Sequence, residues 1–261
     1  MNTRFQRSEL LLGSQCMQSI ASQKVIVFGI GGVGSWCTES LIRSGIRHLT
    51  IVDSDIVCET NCNRQLHATS TTIGKPKVEV MRSRLLEINP QAHIVALHKT
   101  FTPYNSDDFE LHTYDYIIDC IDSLACKIEL IRHATRTNAV FFSSMGASLK
   151  INPLYIQVAE FWKVRGCPFG SIIRKRMRKG ELPAKKFLCV YSEEVLENKG
   201  ESILPETHLD TQPVFTAPEH DQWQSKKAVL NGTMVHVTAV FGFTLAGLVI
   251  QNEVKRFSNN K

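Results

Sequence analysis

Apolar and polar positions change period repeatedly along this chain, and the changes divide it into short strands and longer helices. Residues 24–28, Lys-Val-Ile-Val-Phe, form a nearly unbroken β-branched and aromatic run, the pattern of a strand buried on both faces. The run stops at Gly29-Ile-Gly-Gly-Val-Gly34. From there Ser35 is placed to cap a helix running to about residue 44, with Gly45 positioned to end it, and a second strand comes next at 48–52. The rhythm continues with a helix over 77–88 that stops before Asn89-Pro90, strands near 94–97 and at 116–119, a helix over 124–137, and strands at 139–143 and 154–159. A short helix is expected ahead of residue 24. Strands alternating with helices predict an α/β fold with a doubly wound, mostly parallel sheet.

Two stretches break the rhythm. Between 161 and 232 the alternation is lost, and a basic run gives way to a Pro-, Thr- and acid-containing stretch at 201–219. The segment reads as a partly mobile basic excursion within a single domain spanning 1–261. Residues 233–250 are apolar apart from Thr and His236 and contain Phe241-Gly-Phe243. Eighteen residues just suffice to span a bilayer, yet the glycine and His236 suit a C-terminal apolar helix buried in the core or at a subunit interface. No obligatory membrane insertion is expected.

Composition narrows the class. With 43% hydrophobic and 21% charged residues the 261-residue chain is neither disordered, collagen-like nor a polytopic membrane protein. Its eight cysteines are scattered without a Cys-x-x-Cys pair and read as reduced thiols. The first residues lack the apolar core of an export signal, so the expected location is cytoplasmic. The net charge of +5 is unevenly spread: residues 161–192 hold nine Lys or Arg against Glu181 alone, a local +8. Such concentration suggests a polyanion partner, with Arg174, Lys175, Arg176, Arg178 and Lys179 as the candidate contacts. The bland alternative is a solvated face.

Glycines 29, 31 and 34 satisfy G-x-G-x-x-G between a strand and a helix, which brings backbone amides and a helix N-terminus to a phosphate. Asp53 ends the second strand, where a carboxylate reaches a ribose hydroxyl. These features alone do not separate a nicotinamide cofactor from ATP. The residues after Asp53 favour ATP, because Asp55, Asn61, Arg64, Gln65 and Lys77 form a set suited to a triphosphate, with Arg and Lys able to neutralise the charge on departing pyrophosphate. Taken singly, Lys77 reads more readily as an ordinary solvated lysine. Asp122, at the carboxyl end of a strand, suits Mg²⁺ or a helix N-cap. Cys167 and Cys189 are candidate acyl or persulfide acceptors, though buried structural thiols fit them better, and the nine histidines, lacking ligand spacing, read as structural.

In this order, Gly29-x-Gly-Gly-x-Gly34, Asp53-x-Asp55, Asn61-x-Asn63-Arg64-Gln65, Gly74-x-x-Lys77 and Asp119-x-x-Asp122 resemble the E1-like adenylating enzymes of the ThiF, MoeB and HesA group. The resemblance implies a Rossmann-like adenylation fold and an ATP site built on Gly29, Gly31, Gly32, Gly34, Asp53, Asp55, Asn61, Arg64, Gln65 and Lys77. It further implies Mg²⁺ on Asp122, and an N-terminal arginine, Arg4 or preferably Arg7, reaching across a homodimer to act with Arg64, Lys77 and Asp122. Within the group, Gly29-Ile-Gly-Gly-Val-Gly-Ser-Trp36, Asn63-Arg-Gln-Leu-His67 and Val237-Thr-Ala-Val-Phe-Gly-Phe243 are most similar to members that dehydrate threonylcarbamoyladenosine in tRNA. The implied reaction is adenylylation of the threonyl carboxylate and then ring closure, with tRNA and a sulfurtransferase system as partners. Activation of the C-terminal carboxylate of a small sulfur-carrier or ubiquitin-like protein is the main alternative. The absence of two Cys-x-x-Cys pairs, and hence of an expected structural zinc, counts against it. An NAD-dependent oxidoreductase and a non-catalytic RNA-binding module are further alternatives.

Overall fold

A computed structural model describes residues 3–200 and 231–259; the Pro-, Thr- and acid-containing stretch at 201–219 lies outside the described residues. The β-branched run becomes β1 (Lys24–Phe28), whose side chains alternate between two separate cores, Val25 and Val27 facing one and Ile26 and Phe28 the other. Only a strand covered on both sides needs apolar residues at every position. The same holds for β2 (His48–Val52) and β4 (Tyr116–Asp119). With β3 (His93–Leu97), β5 (Val140–Ser144), β6 (Ile156–Glu160) and β7 (Leu188–Ser192) they form a seven-stranded sheet in the order β3-β2-β1-β4-β5-β7-β6. Every neighbour pair is parallel except β6 with β7.

Helices α1 (Gln6–Leu12) and α2 (Ser14–Ser22) precede the sheet, and α3 (Gly34–Arg43), α4 (Lys77–Ile88), α5 (Leu124–Arg136), α6 (Pro168–Lys179) and α7 (Val235–Asn259) come after β1. Buried residues of α2, α3, α4 and α7 build the core on one face, and those of α5 and α6 the core on the other. The sheet is thus doubly wound, as the alternation predicts.

Two expectations need correction. The segment 161–232 does not leave the alternation altogether: it supplies α6 and then β7, a strand inserted between β5 and β6. Its four apolar positions are masked in sequence by the flanking basic residues, yet Cys189 and Val190 are fully buried. Ser35 is not the cap of α3, which starts one residue earlier with Val33 in that position. Its hydroxyl instead accepts the Leu66 N–H at 3.2 Å.

The apolar helix α7 is long and apolar enough to cross a membrane by composition, but here it packs lengthwise on α3, with Val237, Phe241, Leu245, Ala246 and Val249 fully buried. Gly242 permits this approach. A Cβ there would lie 2.5 Å from the Val33 carbonyl oxygen and 2.8 Å from the Cys37 amide nitrogen.

Candidate active site

The first turn of α3 lies at the carboxyl end of the sheet beside the ends of β1, β2 and β4, at the reversal of strand order between β1 and β4 where sheets of this kind form a binding crevice. Gly29 takes φ +85, and a Cβ on it would fall 2.7 Å from the Cys120 carbonyl oxygen. Gly34 is tighter still, since its Cβ would overlap the Gly29 carbonyl oxygen. The loop therefore closes against the β4–α5 connection only with glycine at both positions. Over Gly31 and Gly32 lie the side chains of Gln65 and Arg64, the Arg64 Cγ 3.3 Å from where a Gly32 Cβ would be.

Asp53 braces this loop. Its Oδ2 accepts the Ile30 N–H at 2.6 Å and its Oδ1 the Asp55 N–H at 2.8 Å. Burial raises its carboxyl above the usual range against the opposing pull of Lys77. Lys77 heads α4, is 5% exposed, and donates to Asp55 at 2.6 Å, so the solvated reading of this lysine fails. Asn61 is also buried and turns its Oδ1 to the Cys58 N–H at 3.0 Å, shaping the loop.

Arg64 is held by the Thr60 carbonyl at 2.9 Å and Asn63 Oδ1 at 2.8 Å. Burial lowers its guanidinium below the ordinary value, and the charge of Asp122 opposes that shift. Asp122 is exposed near the end of the β4–α5 turn, two residues before α5; the N-cap of α5 is Ser123, so the capping reading of Asp122 does not hold. Gly29, Gly31, Gly32, Gly34, Asp53, Asp55, Asn61, Arg64, Gln65, Lys77 and Asp122 are thus gathered around one crevice.

Several contributors escape sequence reasoning. The Trp36 indole N–H donates to the Arg64 carbonyl at 3.1 Å, and its ring meets Phe243 of α7 edge-on at 5.8 Å. Together with Ser35 and Leu66 this ties the Arg64 segment to α3. His67, read as structural, is 2% exposed, and neither ring nitrogen, nor Gln65 Oε1, has a hydrogen-bond partner among the described residues. Burial and the nearby Lys77 charge depress its imidazole to about 4. The motif Asn63-Arg-Gln-Leu-His67 was the available signal.

The other named residues lie elsewhere. Arg4 donates to the Ile88 carbonyl at 2.8 Å, at the far end of α4, about 16 Å along the helix from Lys77. Arg7 is exposed on α1. On α6, Arg174 is half-buried and points to the Phe161 carbonyl at 3.5 Å, whereas Lys175, Arg176, Arg178 and Lys179 are exposed and Arg178 stacks 5.4 Å over Trp162. Lys185 of the same basic run turns inward to the Thr137 and Ala139 carbonyls. Cys167 and Cys189 are buried, and burial pushes the Cys189 thiol well up. Among the described residues, no three His, Cys, Asp or Glu side chains gather to hold a metal.

A sequence model described as the ThiF family matches residues 5–252. The chain is 34% identical to the tRNA threonylcarbamoyladenosine dehydratase of Escherichia coli over 249 residues, 92% of this chain and 89% of that one. To the enzyme of the same name from Bacillus subtilis it is 38% identical over 176 residues, 67% and 69% of the two chains. The solved structure of the Escherichia coli tRNA N6-threonylcarbamoyladenosine dehydratase in complex with ATP superposes with a TM-score of 0.82 at 30% identity, covering 99% of this chain and 96% of that one.

Proposed function

From the premise that the chain belongs to the ThiF family, we propose that it is an ATP-dependent tRNA threonylcarbamoyladenosine dehydratase. It adenylylates the threonyl carboxylate of the modified adenosine, and a neighbouring group of the same nucleoside then closes a ring and releases AMP. The observation that carries this reading is the charged set around the glycine loop: Arg64 packs over Gly32, Asp122 follows directly on the Cys120–Ile121 segment against which Gly29 closes, and the buried Lys77 pairs with Asp55. A hydride-transfer site has no use for that set of charges, whereas adenylylation must neutralise pyrophosphate as it departs.

Each residue has a task in this reading. The free amides at the start of α3 face phosphate, Asp53 takes the ribose, and Arg64 and Lys77 bind phosphate oxygens. Lys77 exchanges Asp55 for that phosphate. Gln65 Oε1 and His67, buried and unpartnered among the described residues, are acceptors and donors that a nucleotide or its water shell satisfies. A single exposed carboxylate near Arg64 fits Mg²⁺, which binds through one or two carboxylates with phosphate and water completing its shell. There Asp122 would hold the metal, which adds charge neutralisation at the phosphates. The exposed Lys175, Arg176, Arg178 and Lys179, with Arg174 behind them, receive the tRNA backbone. Arg4 is held at the end of α4 remote from Lys77, and in this reading an N-terminal arginine, preferably Arg7, completes the site of a second copy in a homodimer. In this reading the enzyme works in the cytoplasm with its tRNA.

Incubation with ATP, Mg²⁺ and tRNA bearing threonylcarbamoyladenosine tests the proposal. AMP release with loss of one water mass from the nucleoside is expected. AMP release that instead requires a carrier protein's C-terminal carboxylate overturns it.

A further inference from the structure

Directly behind the crevice, three polar side chains are fully buried together: Asp119 at the end of β4, Lys127 in the first turns of α5 and Ser143 near the end of β5. Lys127 Nζ donates to Asp119 Oδ2 at 2.6 Å, and the Ser143 hydroxyl donates to the same oxygen at 2.7 Å. The second carboxylate oxygen, Oδ1, accepts the Ile121 N–H at 3.0 Å. That bond turns the chain just after β4, immediately before Asp122, and the turn is the one on which Gly29 closes.

We propose that the buried Asp119–Lys127 pair is a positioning device, holding the β4–α5 turn so that Asp122 stays beside the glycine loop. The inference rests on the role given to Asp122 under the proposed function. Stability is a poor reason for the pair, since stripping both charges of water is costly and a well-packed apolar pair is commonly as stable or more so. An apolar pair, however, offers no acceptor for the Ile121 N–H. Asp119 supplies the acceptor, Lys127 and Ser143 fix the rotation of its carboxylate, and Lys127 at the same time ties the start of α5 to the end of β4.

Two neutral replacements separate positioning from packing. Asp119→Asn with Lys127→Met keeps an oxygen for the Ile121 N–H, and Asp119→Leu with Lys127→Met does not; neither leaves a buried unpaired charge. Both are expected to melt cooperatively. In single-turnover AMP release with ATP and the modified tRNA, the Leu/Met protein should be at least tenfold slower than the Asn/Met protein, with KM for ATP within about threefold. Residues acting as one unit are non-additive, so the gap should vanish when both carry Asp122→Asn. Equal rates for the two pairs, or a tenfold gap that persists with Asp122→Asn, overturns the inference while leaving the proposed function intact. Wild-type protein that releases no AMP overturns both.

Discussion

Lys77 and Asp55, 22 residues apart, meet at 2.6 Å in a lopsided ion pair: the ammonium side is 6% exposed and the carboxylate side 66%. The lysine is thereby desolvated and aimed, with only a solvent-facing partner to give up. Lys77→Met should lower AMP formation by on the order of 10² to 10³, and Asp55→Asn by far less, because it removes only the resting partner. Equal losses in the two variants would contradict this ordering.

Asp122 is exposed and caps no helix, so Asp122→Ala should leave the melting temperature within a few degrees. AMP formation should fall by on the order of 10² to 10³, with the deficit greatest at limiting Mg²⁺. A Mg²⁺ titration of initial rates is the check, and near-full activity at limiting metal would remove the metal role.

The His67 imidazole, buried against the Lys77 charge, binds a proton only near pH 4 in the folded protein against about 6.5 when unfolded. The unfolded chain therefore binds more protons between these values. Stability is whole above pH 6.5 and declines as pH falls toward 4, by on the order of 3 kcal/mol. Denaturant melts across that window should show this decline in wild type and a shallower one in His67→Gln; parallel curves would assign the slope to other groups.

Lys175, Arg176 and Lys179 are exposed on α6. Neutralising all three should weaken tRNA binding and shrink the slope of log affinity against log salt by roughly 0.7 to 0.9 per lost contact. ATP affinity should stay constant, since the crevice proposed to hold the nucleotide lies at the ends of β1, β2 and β4. An unchanged salt slope would return α6 to a solvated face.

Arg4 is bound to the far end of α4 and Arg7 is exposed, so a shared site predicts complementation. Mixing Arg7→Ala with Arg64→Ala subunits should restore partial activity, because one of the two crevices in the mixed dimer is intact. A monomeric protein with full activity would exclude it.

Legibility in the sequence tracks how local each signal is. β1, β2, β4 and α4 appear where the periodicity places them, because a doubly covered strand or a Pro-flanked helix is specified by its own residues. The glycine loop and the acids at strand ends are similarly local. β7 was hidden because Leu188–Ser192 is short and comes just after Lys185 and Lys186, whose charges set the apparent character of the segment; Lys185 in fact points inward. The roles of Lys127, Trp36 and Gly242 were also invisible. Their meaning lies in contacts with Asp119, Arg64 and Val33, which the chain brings close only after folding.

The position of β7 has a further consequence for how the chain assembles. β6 precedes β7 in the chain but pairs with β7 alone among the described strands, and β5 must also wait for β7 to cover its free edge. The sheet therefore cannot zip up in chain order. Until residues 188–192 insert, one half-built sheet shows the bare edge of β5 while β6 has no partner, and unpaired edges of this kind invite pairing between chains. Substitutions in the connection at 180–184, between α6 and β7, that delay this insertion should lower the yield of folded protein while leaving the activity of the molecules that do fold unchanged.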